Sequence, residues 1–575
     1  MEKVWLSHYP AGVPAEVDLD AFASLPAVLQ RSCQRFADRP AYSSMGQTMS
    51  YAELDRQSRA FAAWLQHDLS LRRGDRVALM LPNLLQYPVA LFGVLRAGLV
   101  VVNVNPQYTP GELQEQLLDS GAAAIVVLEN FAHTLQEVLQ RNPQIRLTVV
   151  TTEVGDLFPA LKEVLTNTVV KYVKRLVPRW KIAGAVEFNA ALRAGHERVL
   201  QDVPLGHADT AFLQYTGGTT GVAKGAVLTH GNMVANLQQL SAWLAPRLLD
   251  GQEILVCPLP LYHVYALSSC LVFMKLGAHT VLVANPRDTH AFINDLKRYP
   301  FTALIGVNTL FRALLDAPAF AEVDTSHLKM ANAGGMAVQR VVAERWKRAT
   351  GVAIVEAYGL TETSPGAMAN PLDIDEWTGA IGMPIPSTEA AILDEAGAPL
   401  PCNEVGEICL RGPQVMAGYW KRPDETALVF TPDGWLRTGD MGTMDEKGSF
   451  RITDRKKDMI VVSGFKVFPN QVEDVVALLP GVAEVAAIGV PDERSGEAVA
   501  IVVVRSDPGL TVEAVMAHCR QHLTGYKMPR SVEFSAGPLP KTGIGKVLRR
   551  QVRAATRAAR AAADVAASAG TAAIN

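Results

Sequence analysis

The sequence has no pair of cysteines close enough to read as a metal knuckle or a redox couple. Its six cysteines, Cys33, Cys257, Cys270, Cys402, Cys409 and Cys519, are scattered without a C-x-x-C spacing. That excludes a disulfide-stapled scaffold and points to reduced thiols, read as core residues, in a cytoplasmic compartment. Excess charge of either sign is also lacking, since 54 basic and 57 acidic side chains leave a net −3. No field exists to recruit nucleic acid. Long apolar runs are missing too: the opening MEKVWLSHYP has no signal-peptide core, and later stretches are cut by Arg96, Lys275 or His279. None reaches the roughly 18 residues that a membrane span requires. What remains is an ordinary globular composition, 49% hydrophobic and 19% charged over 575 residues. That length predicts about three to four units of ~150 residues.

Along the chain, helical periodicity alternates with short β-branched runs. RVALM precedes LFGVLRAG and VVVNVNP, and the pattern returns at AFLQYTGG, EILVCPLP, HTVLVANP, FTALIGV and LKMANAGG. Each apolar run is closed by Gly, Pro or Asn, which predicts βα units around a largely parallel sheet and an α/β body over residues 1–455. After the charged run TDRKKD the texture changes to EVAAIGVP, AVAIVVVR and VEAVMAHCRQHL, which predicts a smaller α+β domain over 456–552. The Ala-rich tail 553–575 has little to bury and is expected to fray.

The strongest local signal is YTGGTTGVAKGA, comprising Tyr215, Thr216, Gly217, Gly218, Thr219, Thr220, Gly221, Val222, Ala223, Lys224, Gly225 and Ala226. Glycine lets backbone N–H groups curl around an anion, threonine hydroxyls add donors, and Lys224 adds positive charge, a composition suited to polyphosphate. The spacing is neither G-x-x-x-x-G-K-[ST] nor G-x-G-x-x-G, so the loop belongs to neither of those nucleotide folds.

This loop resembles the phosphate loop of the adenylate-forming superfamily: acyl-CoA synthetases, luciferases and peptide-synthetase adenylation domains. Further motifs of that family follow in order as NAGGMAVQ, AYGLTETSP, GWLRTGD, TDRKKDMIVVSGFKVFPNQVE and PKTGIGKVLRR. The resemblance implies a large multi-layered α/β body with a small mobile C-terminal α+β domain. It also implies formation of an acyl-adenylate from ATP, followed by transfer to the thiol of CoA. Thr216, Thr361 and Glu362 match positions that contact phosphate or Mg²⁺, so Mg²⁺ is the expected cofactor, and Glu362 supplies the hard oxygen that it prefers. Read alone, an acidic residue after threonine is more often a helix cap.

Tyr358, between Ala357 and Gly359, offers a face for adenine, with Gly334 and Gly335 leaving bare backbone opposite. Asp440 is expected to accept from the ribose hydroxyls, and Arg455 to donate to sugar or phosphate. Taken singly, both would read as surface charges. The resemblance further gives Lys546 as the catalytic cation, Lys457 as the hinge, and Ser463, Gly464 and Phe465 as the loop beside the CoA thiol. Val461 stands where some members carry lysine, so that lysine's contacts do not transfer here.

From Pro258 to Arg287 there is no acidic residue. An amino-acid-activating member normally places Asp there, so an apolar acid is the expected substrate, and the resemblance implies a long-chain fatty acid. His263 matches a residue lining the junction of acyl and phosphate sites, with a packing role as the alternative. Thr168 to Lys181 carries five basic and no acidic side chains. This segment reads either as a rest on the cytoplasmic face of an anionic inner membrane or as a solvated helix cut short by Pro178. A second copy of the chain is a further candidate partner.

Overall fold

The computed structural model describes residues 3–216, 223–463, 465–492, 494–542 and 545–559. The expectations on residues 217–222, on Gly464 and on the tail beyond 559 lie outside the described residues. The chain divides into two compact units, one of residues 3–389 and 410–436, the other of 390–409 and 437 onward.

The larger unit contains two sheets. In the first, strands Thr210–Thr216, Val100–Asn103, Arg76–Met80, Ala124–Leu128, Thr148–Thr152 and Val186–Glu187 run parallel in that order, and Lys224–Thr229 closes antiparallel on Thr210–Thr216. In the second, Pro40–Ser44, His279–Leu282, Ile254–Cys257, Ala303–Gly306, Met330–Ala333 and Ile354–Gly359 are parallel neighbours. The runs expected to be strands thus form them, because each is apolar on both faces as a helix-covered parallel strand must be. A typical crossover is helix Pro110–Ser120. Thr109 and Glu112 form its capping box, Pro110 opens it, and Gly121 at φ +61° closes it.

One hydrophobic core joins both sheets, containing Val101 and Val126 from the first and Leu255, Leu282 and Ala303 from the second. This is why a unit count taken from length alone overshoots. Every residue of helix Gln86–Arg96 is buried, which suits a helix apolar all round. Close packing around it needs glycine at two contacts, one of them within the helix itself. A Cβ on Gly93 would come within 2.7 Å of the Phe61 ring, and one on Gly195 within 1.9 Å of the Ala60 carbonyl oxygen.

The smaller unit has a four-stranded sheet, Glu389–Leu393, Gly406–Arg411, Leu436–Met444 and Phe450–Arg455. Its second sheet pairs Val482–Asp492 with Gly496–Arg505, flanked by Ile460–Val462, Phe465–Val467 and Ser531–Ser535. Residues 437–455 cluster with the C-terminal residues because Asp454 is bonded by the Asn470 amide at 2.6 Å and by Arg549 at 3.2 Å.

Candidate active site

Two antiparallel strands enter and leave the glycine- and threonine-rich run, with Tyr215 opposite Gly225 and Thr216 opposite Lys224. The Tyr215 hydroxyl donates to Asp119 at 2.6 Å, and a Cβ on Gly225 would stand 3.2 Å from the Tyr215 ring. Lys224 Nζ pairs with the Glu425 carboxylate and lies 5.2 Å above the Tyr419 ring. Ala223 follows the residues left undescribed, and Ala226 continues the outgoing strand.

Strand Ile354–Gly359 delivers Ala357, Tyr358 and Gly359 to a single turn, Thr361–Thr363. Gly359 is required there, because a Cβ would lie 1.7 Å from the Pro365 carbonyl oxygen. Tyr358 is buried. The turn is capped by Thr363, whose hydroxyl accepts from the Leu360 amide at 2.9 Å. Glu362 does not serve as the cap. Its Oε1 accepts from the Tyr419 hydroxyl at 2.6 Å, and its carbonyl accepts from the Met416 amide at 2.8 Å.

Gly334 and Gly335 follow strand Met330–Ala333, and Gly335 has φ +78°. The ring beside Gly334 is Tyr265, 3.2 Å from a built Cβ, and Tyr265 donates to Asn332 Oδ1 at 2.5 Å. His263 is the N-cap of helix Val264–Lys275, where its Nδ1 accepts from the Tyr265 amide at 3.3 Å. Burial pushes its imidazole down to about 4, so the ring is neutral at physiological pH.

The smaller unit gathers the remaining predicted residues. Asp440 and Arg455 are cross-strand partners, joined Nε to Oδ1 at 2.6 Å. Burial first, and then the Arg455 guanidinium, bring the Lys546 ammonium down from 10.5 to about 8. Asp440 opposes that shift, while Arg549 and Lys457 add to it. Lys457 is itself lowered, chiefly by burial. Ser463 takes φ +50° and its amide donates to the Ser495 carbonyl at 2.8 Å. The exposed Phe465 ring stacks on Tyr526, centroids 4.9 Å apart.

The profile of the AMP-binding enzyme family matches residues 29–420, and that of the AMP-binding enzyme C-terminal domain matches residues 471–546. The chain belongs to this family.

Among its relatives, a long-chain-fatty-acid–CoA ligase of Escherichia coli is 54% identical, with 96% of this chain and 98% of that protein covered. A long-chain-fatty-acid–CoA ligase of Bacillus subtilis is 37% identical at the same coverage, 96% and 98%. The crystal structure of an anthranilate CoA ligase with anthranoyl-AMP shares the fold, with a TM-score of 0.82 and 24% identity over 95% of this chain and 100% of that one. ATP-bound MatB from Rhodopseudomonas palustris superposes with a TM-score of 0.79 and 28% identity, covering 92% and 99%.

In this AMP-binding enzyme the sequence reading missed the partners that hold the predicted residues. Tyr419 and Glu425 both lie in GYWKRPDET, an aromatic, basic and acidic cluster that follows Met416 and was available as a signal. Asp119 sits in a helix 96 residues before Tyr215. No local pattern marks it.

Proposed function

We propose that the chain is a long-chain fatty-acid–CoA ligase that turns fatty acid, ATP and CoA into acyl-CoA, AMP and pyrophosphate, feeding fatty-acid degradation or lipid metabolism. The observation that carries this reading is near-complete coverage of relatives of that name at 54% and 37% identity. The acid-free stretch from Pro258 to Arg287 supports an apolar acid.

In the first half-reaction a fatty-acid carboxylate oxygen bonds to the α-phosphorus of ATP, the bond to the bridging oxygen breaks, and pyrophosphate leaves. Lys546, Lys224 and the amides of the phosphate loop offset the charge that develops. Asp440 holds the ribose, with Arg455 alongside. Neutral His263 borders the reacting carboxylate without competing for protons. In the second half-reaction the CoA thiolate attacks the acyl carbonyl and AMP departs. The residues after Lys457 turn about it, parting Asp454 from Asn470 and Arg549, withdrawing Lys546 and presenting the loop at Ser463 and Phe465.

Glu362 and the Thr216 hydroxyl are hard oxygen donors that suit Mg²⁺, which takes one or two carboxylates and fills its shell with phosphate oxygens and water. The described residues contain no cluster of three or more His, Cys, Asp or Glu that would serve as an all-protein cage. Mg²⁺ would neutralise phosphate charge there. Among the described residues no helix is long and apolar enough to cross a membrane. The proposed place of work is the cytoplasm and the cytoplasmic face of the inner membrane, where long-chain acids partition.

The test is exchange of labelled pyrophosphate into ATP across fatty acids of graded length, with Mg²⁺ present. Exchange that rises with chain length supports the reading. Exchange with amino acids alone, or with no acid at all, overturns it.

A further inference from the structure

Helix Ala160–Thr168 has no buried residue. Its apolar side chains, spaced to share one face, point away from the protein: Leu161 is 91% exposed, Val164 67% and Leu165 64%. The following turn adds Tyr172 at 69%, Val173 at 71% and Leu176 at 54%. Six of the nineteen large apolar side chains exposed among the described residues thus fall within sixteen positions. Scattered exposed leucines need no explanation, but a contiguous ridge marks an interaction surface.

The ridge is held in place by bonds on its other side. Asn167 Oδ1 accepts from the Gly155 amide at 2.7 Å, and Glu163 accepts from Asn189 at 3.0 Å. Lys171 pairs with Glu129 and Glu153 at 3.2 and 3.3 Å. Lys174, Arg175, Arg179 and Lys181 are exposed and have no acidic partner among the described residues. Glu163 is the sole acidic residue between 160 and 181.

We propose that this apolar ridge, with its rim of Lys174, Arg175, Arg179 and Lys181, is the face that docks on an anionic phospholipid bilayer. Apolar side chains backed by a one-signed basic rim match the headgroup–acyl boundary of such a membrane, with leucine and valine entering it and the cations meeting lipid phosphates. A second copy of the chain fits less well, because a two-fold contact through this ridge would set two basic rims against each other. The proposal deepens the ligase reading by naming the surface through which the enzyme reaches a membrane-dissolved acid. Adsorption itself needs no catalysis.

The experiment is sedimentation of the full chain with vesicles of phosphatidylcholine alone, or with roughly one part in three phosphatidylglycerol. Three proteins are compared: wild type, Leu161→Ser/Leu165→Ser/Val173→Ser, and Lys174→Glu/Arg175→Glu. Wild type is expected to pellet with the anionic vesicles, and each variant to bind at least about tenfold more weakly. Pyrophosphate exchange with a medium-chain acid supplied in solution should stay at the wild-type level in both variants, which shows that they fold. Wild-type protein left in the supernatant, or variants that pellet like wild type, would overturn the proposal. So would a wild-type dimer that the triple substitution splits while vesicle binding persists. Vesicle binding without any pyrophosphate exchange would leave the docking surface standing and remove the ligase reading.

Discussion

Replacing Arg549 by Met should weaken the C-terminal region by an amount that grows with pH. Arg549 lies three residues after Lys546, its side chain is 13% exposed, and it bonds Glu473 at 2.6 Å, Asp454 at 3.2 Å and Asp458 at 3.5 Å. Asp454 has no exposed side-chain surface. Burial raises its carboxyl from 3.8 to about 6, and Arg549 is the largest influence holding it down. A carboxyl that binds its proton more tightly when folded adds stability below about 3.8 and loses it as pH climbs through about 6. Without the guanidinium that folded value rises further, while the unfolded value stays put.

Removing one partner of a buried pair costs about 3–5 kcal/mol, and protonation of Asp454 relieves part of it at low pH. Above pH 6 the gap between variant and wild type should widen by as much as about 1.4 kcal/mol for each pH unit. Hydrogen exchange of peptides covering 469–477 and 549–559 measures this, because it reports opening of that region independently of the larger unit. Equal protection in the two proteins at pH 8, or a larger deficit at pH 5.5 than at pH 8, would refute the reasoning.

Lys546→Ala should abolish pyrophosphate exchange while largely sparing thioester formation from supplied acyl-adenylate; equal losses in the two half-reactions would contradict its role. In the wild type, adenylation that needs the Lys546 cation should fall as pH rises through about 8, since the buried ammonium loses its proton there, and a pH profile of exchange checks this. Lys457→Pro, which fixes φ, should slow thioester formation more than adenylation, as read by single-turnover assays of each step. Tyr419→Phe removes the 2.6 Å bond to Glu362 and should raise the Mg²⁺ concentration for half-maximal exchange by about tenfold or more, the value of one bond to a charged group. An unchanged Mg²⁺ titration would show that Tyr419 does not position Glu362.

Much of the fold was legible because parallel strands are short, apolar on both faces and ended by Gly, Pro or Asn. RVALM is strand Arg76–Met80 and VEAVMAHCRQHL contains helix Val512–His522. The candidate site's local geometry was legible where one motif held the strand and its turn, as in Tyr358 to Glu362. The partners were not, because Asp119, Tyr419 and Glu425 reach their targets only through the chain's return in space. The exposed ridge escaped in part for a related reason. The basic run from Thr168 was visible as charge, but the leucines ahead of it have the same spacing as a core-facing helix, and only burial separates the two.

The contact between Lys224 and Glu425 bears on how turnover ends. On the proposed reading, a triphosphate arriving at the loop would compete with the carboxylate already bound to that ammonium, so part of its grip would be spent on displacing the incumbent. When pyrophosphate is cut free, the same carboxylate would reclaim the lysine and hasten the product's exit. A protein lacking Glu425 would hold nucleotide more tightly and let go of its leaving group more slowly.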